Sequence, residues 1–468
     1  MSVPERPRLA PEVLARLHLA DGEAKVILQD PRRGVVLEIE PASWMVLRQA
    51  DGTRDLDALC LAASRSGLYR GEADLRALLE GLTEAGVLVD GIEQPHPPAP
   101  VAAPTRNEAR PLEPLPGYRF ACDGNGSCCR TYGSVAFTRL EAMQARLTSA
   151  EMPLPLPADE AFTPLSGGDM EAWSLAVAQV EGRCLYLEDD GLCGLHRRDG
   201  ARAKPFPCRL YPAMLVDDGE AVRVSALPEC GCVFASAAAP SAEAEPLIDP
   251  AARTLGELGP QATVVHVPDP VPLSAMRTAP IAALRRFSDD LVRALAPGQD
   301  TVRDAVAVAW GLADHIEAHG LDGATVEKAA LPEQAEIAPW LEALAARAAE
   351  VAELEASWRG GSDRSRRVAR WIAEALAEPT WPLPAVDPAA EAFYLRTLAH
   401  GHRLTIEGRP LSRGLRDRAT RLLAARAMAS RGTPVEVQDA RWPLAPLEAA
   451  MRNLRLSPYA DAVKPRAT

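Results

Sequence analysis

Lysine is almost absent. Lys25, Lys204, Lys328 and Lys464 are the only four in 468 residues, so the positive charge is nearly all arginine. Aromatic residues make up 5% of the chain. The formal net charge is −13, which argues against a general nucleic-acid coat protein, because phosphate binding relies on clustered cations. No apolar run is long enough to cross a bilayer, the nearest being the stretch around 305–313. The opening residues MSVPERPRLA carry charges and two prolines where a signal peptide needs an apolar core. These absences predict a cytoplasmic protein with neither a nucleic-acid nor a membrane partner, whose thiols stay reduced. No C-x₂-C pair occurs, which excludes the usual zinc fingers and ribbons, and the bacterial ferredoxin run is missing too. A glycine-rich nucleotide-cofactor turn is likewise not visible. What is present is ordinary for a folded chain: 47% hydrophobic and 25% charged residues, with length for two to four domains.

Proline-rich seams divide the chain. Residues 93–116 hold eight prolines and read as a semi-extended linker. A second weak stretch lies within 236–269. The predicted organisation is α+β multidomain: a winged-helix-like α/β module at 6–92, an irregular cysteine-rich metal-binding domain at 117–235, and an all-α helical domain at 270–468.

In the first block, Ala24–Gln29 and Gly34–Ile39 read as strands joined by a turn. Helical segments follow at Pro41–Arg48, Leu56–Ser64 and Glu72–Ala85, then a short strand Val87–Val89. Leu75, Leu78, Leu79 and Leu82 share one helix face. The segments PRLAPEV, GVVLEIEPASWMVLRQADGTRDLDAL and LRALLEGLTEAGVLVDG resemble the PqqD-like family of peptide-recognition elements. The resemblance implies a peptide or protein partner, bound by adding a strand to the small sheet. Two other readings stand beside it: a module that only docks a neighbouring domain, and a DNA-binding winged helix. Against the latter, Glu72–Ala85 carries one arginine and four acidic residues.

Eight of the nine cysteines lie between Cys122 and Cys232. They are Cys122, Cys128 and Cys129 in FACDGNGSCCR, Cys184 and Cys193 in CLYLEDDGLC, Cys208 in KPFPCRLYP, and Cys230 and Cys232 in PECGC. Thiolates are soft ligands that suit zinc, copper(I) or iron–sulfur clusters. In a reducing compartment such a group reads as metal or redox chemistry before disulfides. Gly124 and Gly126 allow positive φ and a tight loop. Adjacent Cys128 and Cys129 in extended chain would point in opposite directions, so both serve one centre only if the backbone turns sharply. Arg130 and Arg209 are placed to offset thiolate charge. His196, three residues past Cys193, has one-turn spacing for a ligand. Cys60, amid apolar helix residues, reads as core.

The block from 117 to 235 resembles the YkgJ-like cysteine-cluster family of zinc- or iron-chelating proteins. The carrying features are Cys122, the Cys128–Cys129 pair, Cys184 with Cys193, the box from Pro205 to Pro212, and a T-x-x-E-A helix start at Thr138. The same box occurs in FliB-type lysine N-methylases of flagellin. The resemblance implies a metal centre, an iron–sulfur cluster or zinc, and a protein or peptide substrate. For the methylases it further implies S-adenosylmethionine. A non-catalytic metal-binding or metal-delivery protein, and a redox sensor, are the competing classes.

From about Ala279 the chain reads as helix: Ile281–Leu295, Thr301–His319, Pro332–Trp358, Arg364–Leu376, Ala389–His402 and Leu411–Ser430. Trp340, Leu341, Leu344, Ala348, Val351, Leu354 and Trp358 form one apolar stripe. The pairs His315/His319 and His400/His402 read as solvated helix ends rather than ligands.

Overall fold

The structure is a computed structural model. It describes residues 3–10, 13–20, 23–30, 35–65, 72–90, 106–131, 135–158, 160–164, 175–239, 241–242, 244–298, 304–356, 363–377, 379, 381–405, 409–432 and 442–453. The chain is a mixture of helices and several small sheets, gathered in two compact units. The first takes residues 1–105, 132–209 and 358–362; the second takes 106–131, 210–357 and 363–468. The block 117–235 thus contributes to both units. Among the described residues no helix is long and apolar enough to cross a membrane.

In the first unit the two expected strands are Glu23–Asp30 and Val35–Ile39. The helices Pro41–Leu47, Leu56–Arg65 and Glu72–Glu84 follow. Strand Leu88–Asp90 pairs with Pro7–Leu9. Leu75, Leu79 and Leu82 are buried against Val26, Leu28, Trp44 and Leu47, and Cys60 packs beside them. Two strands, Pro7–Leu9 and Leu14–Ala20, gave no sequence signal. Leu14–Ala20, LARLHLA, is the central strand of a five-stranded sheet, in the order Arg183–Cys184, Gln179–Val180, Leu14–Ala20, Glu23–Asp30, Val35–Ile39. Its buried residues include Ala15 and His18 rather than large apolar groups, so no period-2 signal shows. One flank of this sheet is covered by the chain's own Gln179–Val180, which runs parallel to His18–Leu19.

The second unit is built on a four-stranded sheet ordered Val265–His266, Ala213–Asp217, Val222–Ala226, Leu112–Pro114. Helix Pro388–His400 crosses it closely: the Ser225 hydroxyl donates to the Thr397 carbonyl at 2.5 Å. A Cβ at Gly401 would meet Ser225 Cβ at 2.9 Å, which is why glycine ends this helix. After residue 280 the helices are also Ile281–Ala294, Ala305–His319, Gln334–Ala356, Asp363–Ala377 and Leu411–Arg431, with Leu444–Asn453 added. The last escaped the sequence reading because ten residues behind a proline show too little period. Leu341, Leu344, Ala348 and Val351 of the apolar stripe are buried.

Helix Leu411–Arg431 forms where expected, but its charges are placed unexpectedly. Its arginines suggest a solvated face, yet Asp417, Arg418, Arg421 and Arg426 are all buried. Each charge is matched. Arg418 and Arg421 reach Glu448 at 3.0 and 2.8 Å, and Arg421 reaches Asp417 at 2.7 Å. Arg426 bonds Glu391 at 2.6 Å and Asp304 at 3.0 Å. Burial alone would raise the Glu448 carboxyl, but Arg421 and Arg418 outweigh it and hold the group well below the usual carboxylate range. Such a pair adds modest stability, whereas removing one partner strands a buried charge. Glu448→Ala is therefore expected to cost about 3–5 kcal/mol in urea unfolding. A loss below about 1 kcal/mol, the value of an exposed pair, would contradict this burial.

Candidate metal centre

In the second unit, the segment after Leu112–Pro114 is fastened to helix Gly231–Ala238. The Ser236 hydroxyl accepts from the Ala121 amide at 3.0 Å and donates to the Ala121 carbonyl at 3.2 Å. The Tyr118 hydroxyl donates to the Val233 carbonyl at 3.1 Å. This docking brings Cys122 near Cys232, one helical turn before Ser236. Cys230 is the N-cap of the same helix and stands beside Cys232. Cys230 and Cys232 are buried, while Cys122 is exposed above them. The Cys232 thiol also donates to Asp123 Oδ1 at 3.0 Å. The Cys122 contact favours its thiolate. Hydrogen bonding to Cys230, burial and Asp123 outweigh that, and the thiol is held well above its ordinary range.

The loop between Cys122 and Cys128 forms as its glycines predict. Gly124 and Gly126 have φ of 71° and 68°. Asn125 donates to both Asp123 oxygens at 3.1 Å, and its own side-chain oxygen accepts from the Ser127 amide at 2.8 Å. Arg130 donates to the Asn125 carbonyl at 2.7 Å, so it braces this loop. The chain then makes one helical turn, Ser127–Thr131, which sets the Cys128 and Cys129 sulfurs 3.9 Å apart. The sharp turn needed for the two to act together is present. Behind Cys230, the buried Glu229 pairs with Arg403 at 3.1 Å, and Arg452 stands at 3.6 Å.

The first unit holds Cys184, Cys193, Cys208 and His196. Cys184 ends strand Arg183–Cys184, and Cys193 is the N-cap of helix Gly194–Asp199. Both thiols lie near Tyr186, whose hydroxyl is pushed up to about 12 by burial and by these neighbours. His196 is exposed on that helix, its imidazole held below its ordinary value by partial desolvation and by Lys204. Cys208 lies in helix Phe206–Leu210. One carboxylate ties two motifs together here. Glu141 closes a capping box with Thr138, accepts the Phe206 amide at 2.8 Å, and faces Arg209 at 3.5 Å. Arg209 also stacks on Phe206, so its charge is directed to Glu141.

Among the described residues, no group of three or more His, Cys, Asp or Glu side chains stands in an arrangement that holds a metal ion. The second unit does gather three cysteines, two of them buried and the third exposed, and one of them contacts a carboxylate. Compared with protein-family models, with curated proteins and with solved structures, the chain matches none.

The histidine pairs part company. His315 donates to the Asp322 carbonyl at 2.7 Å and stacks near His319, at an exposed helix end. His400 and His402 are not solvated at all; they are 2% and 1% exposed. His400 Nε2 donates to the Glu113 carbonyl at 2.9 Å, and its Nδ1 faces Arg223 at 3.5 Å. His402 Nε2 donates to Asp218 Oδ2 at 3.3 Å, and its Nδ1 accepts from Ser288 at 3.2 Å. Arg223 also meets Asp218 at 3.2 Å and Asp289 at 2.7 Å; Arg285 meets Asp218 at 2.5 Å and Glu113 at 2.6 Å. The sequence reading missed this network because its members are scattered over nearly 300 residues. Ser288, His402 and Asp218 form a hydrogen-bonded line, but all three are buried, so the line joins sheet to helices rather than meeting a substrate.

Burial pushes His400 down to about 4 from an ordinary 6.5, and burial lowers His402 in the same sense. A depressed folded value means stability that is complete above about 6.5 and lost as pH falls toward about 4. The shift corresponds to about 3 kcal/mol. Unfolding free energy should therefore fall across that window, and His400→Gln should flatten the fall. Identical pH profiles for the two proteins would refute the neutral buried histidine.

Proposed function

We propose that this chain is a cysteine-cluster metalloprotein whose centre is formed by thiols of the second unit and takes an iron–sulfur cluster or zinc. The observation that carries the reading is the gathering of reduced thiols in one unit, Cys230 and Cys232 buried on one helix with Cys122 near them. Reduced, clustered thiols repel one another when ionised, and a soft cation relieves that repulsion by binding them. Cys122, Cys230 and Cys232 would hold the metal, with the Cys128–Cys129 pair the remaining thiols of the same unit. A bound iron–sulfur cluster would supply electron transfer, and bound zinc a Lewis acid or a fixed scaffold.

The first unit would recruit a peptide or protein. Strand Val35–Ile39 is the end strand of its sheet, and no strand among the described residues pairs with its outer side. An extended peptide can add there through backbone hydrogen bonds. The catalytic form of the proposal is modification of the recruited chain, and lysine N-methylation with S-adenosylmethionine is the reaction that the resemblance supplies. A non-catalytic metal-binding or metal-delivery role is the second reading. The deep burial of Cys230 and Cys232 favours a centre that holds the fold.

Metal and sulfide analysis of anaerobically purified protein tests the proposal. Stoichiometric iron with sulfide, or stoichiometric zinc, is the expected result. Cys122→Ser, Cys230→Ser and Cys232→Ser should each lose the metal, and Cys60→Ala should retain it. Metal-free wild type, or equal retention in all four variants, would sink the assignment.

A further inference from the structure

We infer that Cys128 and Cys129 form a vicinal dithiol that a low-molecular-weight disulfide oxidises reversibly, and that this oxidation releases the loop carrying Cys122. The inference stands apart from the metal reading, which assigns its centre to three other thiols. Its basis is a direct contact: the two sulfurs lie 3.9 Å apart. Neighbouring side chains on a helix do not normally face each other, yet within the turn Ser127–Thr131 these two are directed together. Both residues keep partial exposure, which a small disulfide needs in order to reach them.

The exchange runs in two steps and balances. One cysteine thiolate attacks a sulfur of oxidised glutathione, forms a mixed disulfide and expels one glutathione thiolate. The neighbouring thiolate then attacks the cysteine sulfur of that mixed disulfide and expels the second glutathione. Two protein thiols are oxidised, one glutathione disulfide is reduced, and the two protons leave on the glutathione thiols.

The product does not fit the turn. Adjacent Cα atoms lie about 3.8 Å apart across a trans peptide, whereas relaxed disulfides span about 4.4–6.8 Å. The turn therefore opens as the bond forms, and a bond of this kind is readily reduced again. Three hydrogen bonds tie the turn to the loop before it. The Cys129 amide donates to the Gly126 carbonyl at 3.1 Å, the Ser127 amide to the Asn125 side chain at 2.8 Å, and Arg130 to the Asn125 carbonyl at 2.7 Å. Asn125 in turn orients Asp123, which accepts from the Cys232 thiol at 3.0 Å. Opening the turn loosens this series of bonds from the Arg130 end.

The test uses the full chain, purified anaerobically and analysed for metal, then equilibrated with mixtures of oxidised and reduced glutathione, quenched in acid and alkylated. The tryptic peptide 120–130 carries Cys122, Cys128 and Cys129. In oxidising mixtures it should lose two hydrogens and take the alkyl group on Cys122 alone, and dithiothreitol should reverse the change. Cys122→Ser should oxidise like wild type. Cys128→Ala and Cys129→Ala should each lose the disulfide and keep glutathione on the remaining thiol, and either serves if the other misfolds by circular dichroism. Trypsin should cut the native chain after Arg130 faster once the pair is oxidised. No disulfide, a bond to Cys122, or a glutathione adduct that persists on wild type overturns the inference. An unchanged rate of cutting overturns the release of the loop. Protection of both thiols from alkylation until a chelator removes bound metal would make them ligands, and overturns it too. Absence of metal from the untreated sample counts against the metal reading alone.

Discussion

A charge removed from water must find its opposite, and the second unit is arranged around that requirement. Helix Leu411–Arg431 runs through its interior with arginines that would be prohibitively costly if unpaired. Glu448, Asp417, Glu391 and Asp304 match them. The same constraint extends to the cysteines. Arg403 lies within the field of Glu448 and pairs directly with the buried Glu229, the residue before Cys230. The position of the thiol-bearing helix is thereby linked to the packing of the helical bundle through charge as well as through apolar contacts such as Phe234 on Phe393.

A second buried network works beside it. Arg223, Arg285, Asp218, His400, His402 and Ser288 join the sheet to helices Ile281–Ala294 and Pro388–His400. The Asp218 carboxyl is held well below its usual range: His402, two backbone amides and Arg285 outweigh its burial. Networks of this kind are stabilising only when every member is satisfied. That makes their geometry demanding, and it holds the sheet edge that leads through Leu115 to Cys122 in one place.

What was legible in the sequence is what depends on neighbours in the chain. Gly124 and Gly126 announced a tight loop, Thr138 and Glu141 announced a helix start, and leucines at helical spacing announced buried faces. The cysteines were legible as a group because their chemistry is unusual wherever they lie. Their supports were not. Ser236 acts on Ala121 across 115 residues, and Arg403 acts on Glu229 across 174. Serine and arginine are common, so neither signals a role until the fold brings its partner near. His400 and His402 misled for the same reason: a helix end is usually wet, and only the sheet packed on it makes this one dry. Strand Leu14–Ala20 was hidden because alanine and histidine fill its buried positions.

A metal ion or cluster shared by Cys122, Cys230 and Cys232, as proposed, would carry a distinctive sulfur signature. X-ray absorption at the metal edge of the purified full-length protein tests it most directly, because scattering by sulfur and by lighter atoms is distinguishable. A first shell dominated by sulfur, at the distances of thiolate ligands, is expected, with loss of that shell in Cys232→Ser. A first shell of nitrogen and oxygen alone, or a sulfur shell that survives unchanged in Cys232→Ser, would contradict it.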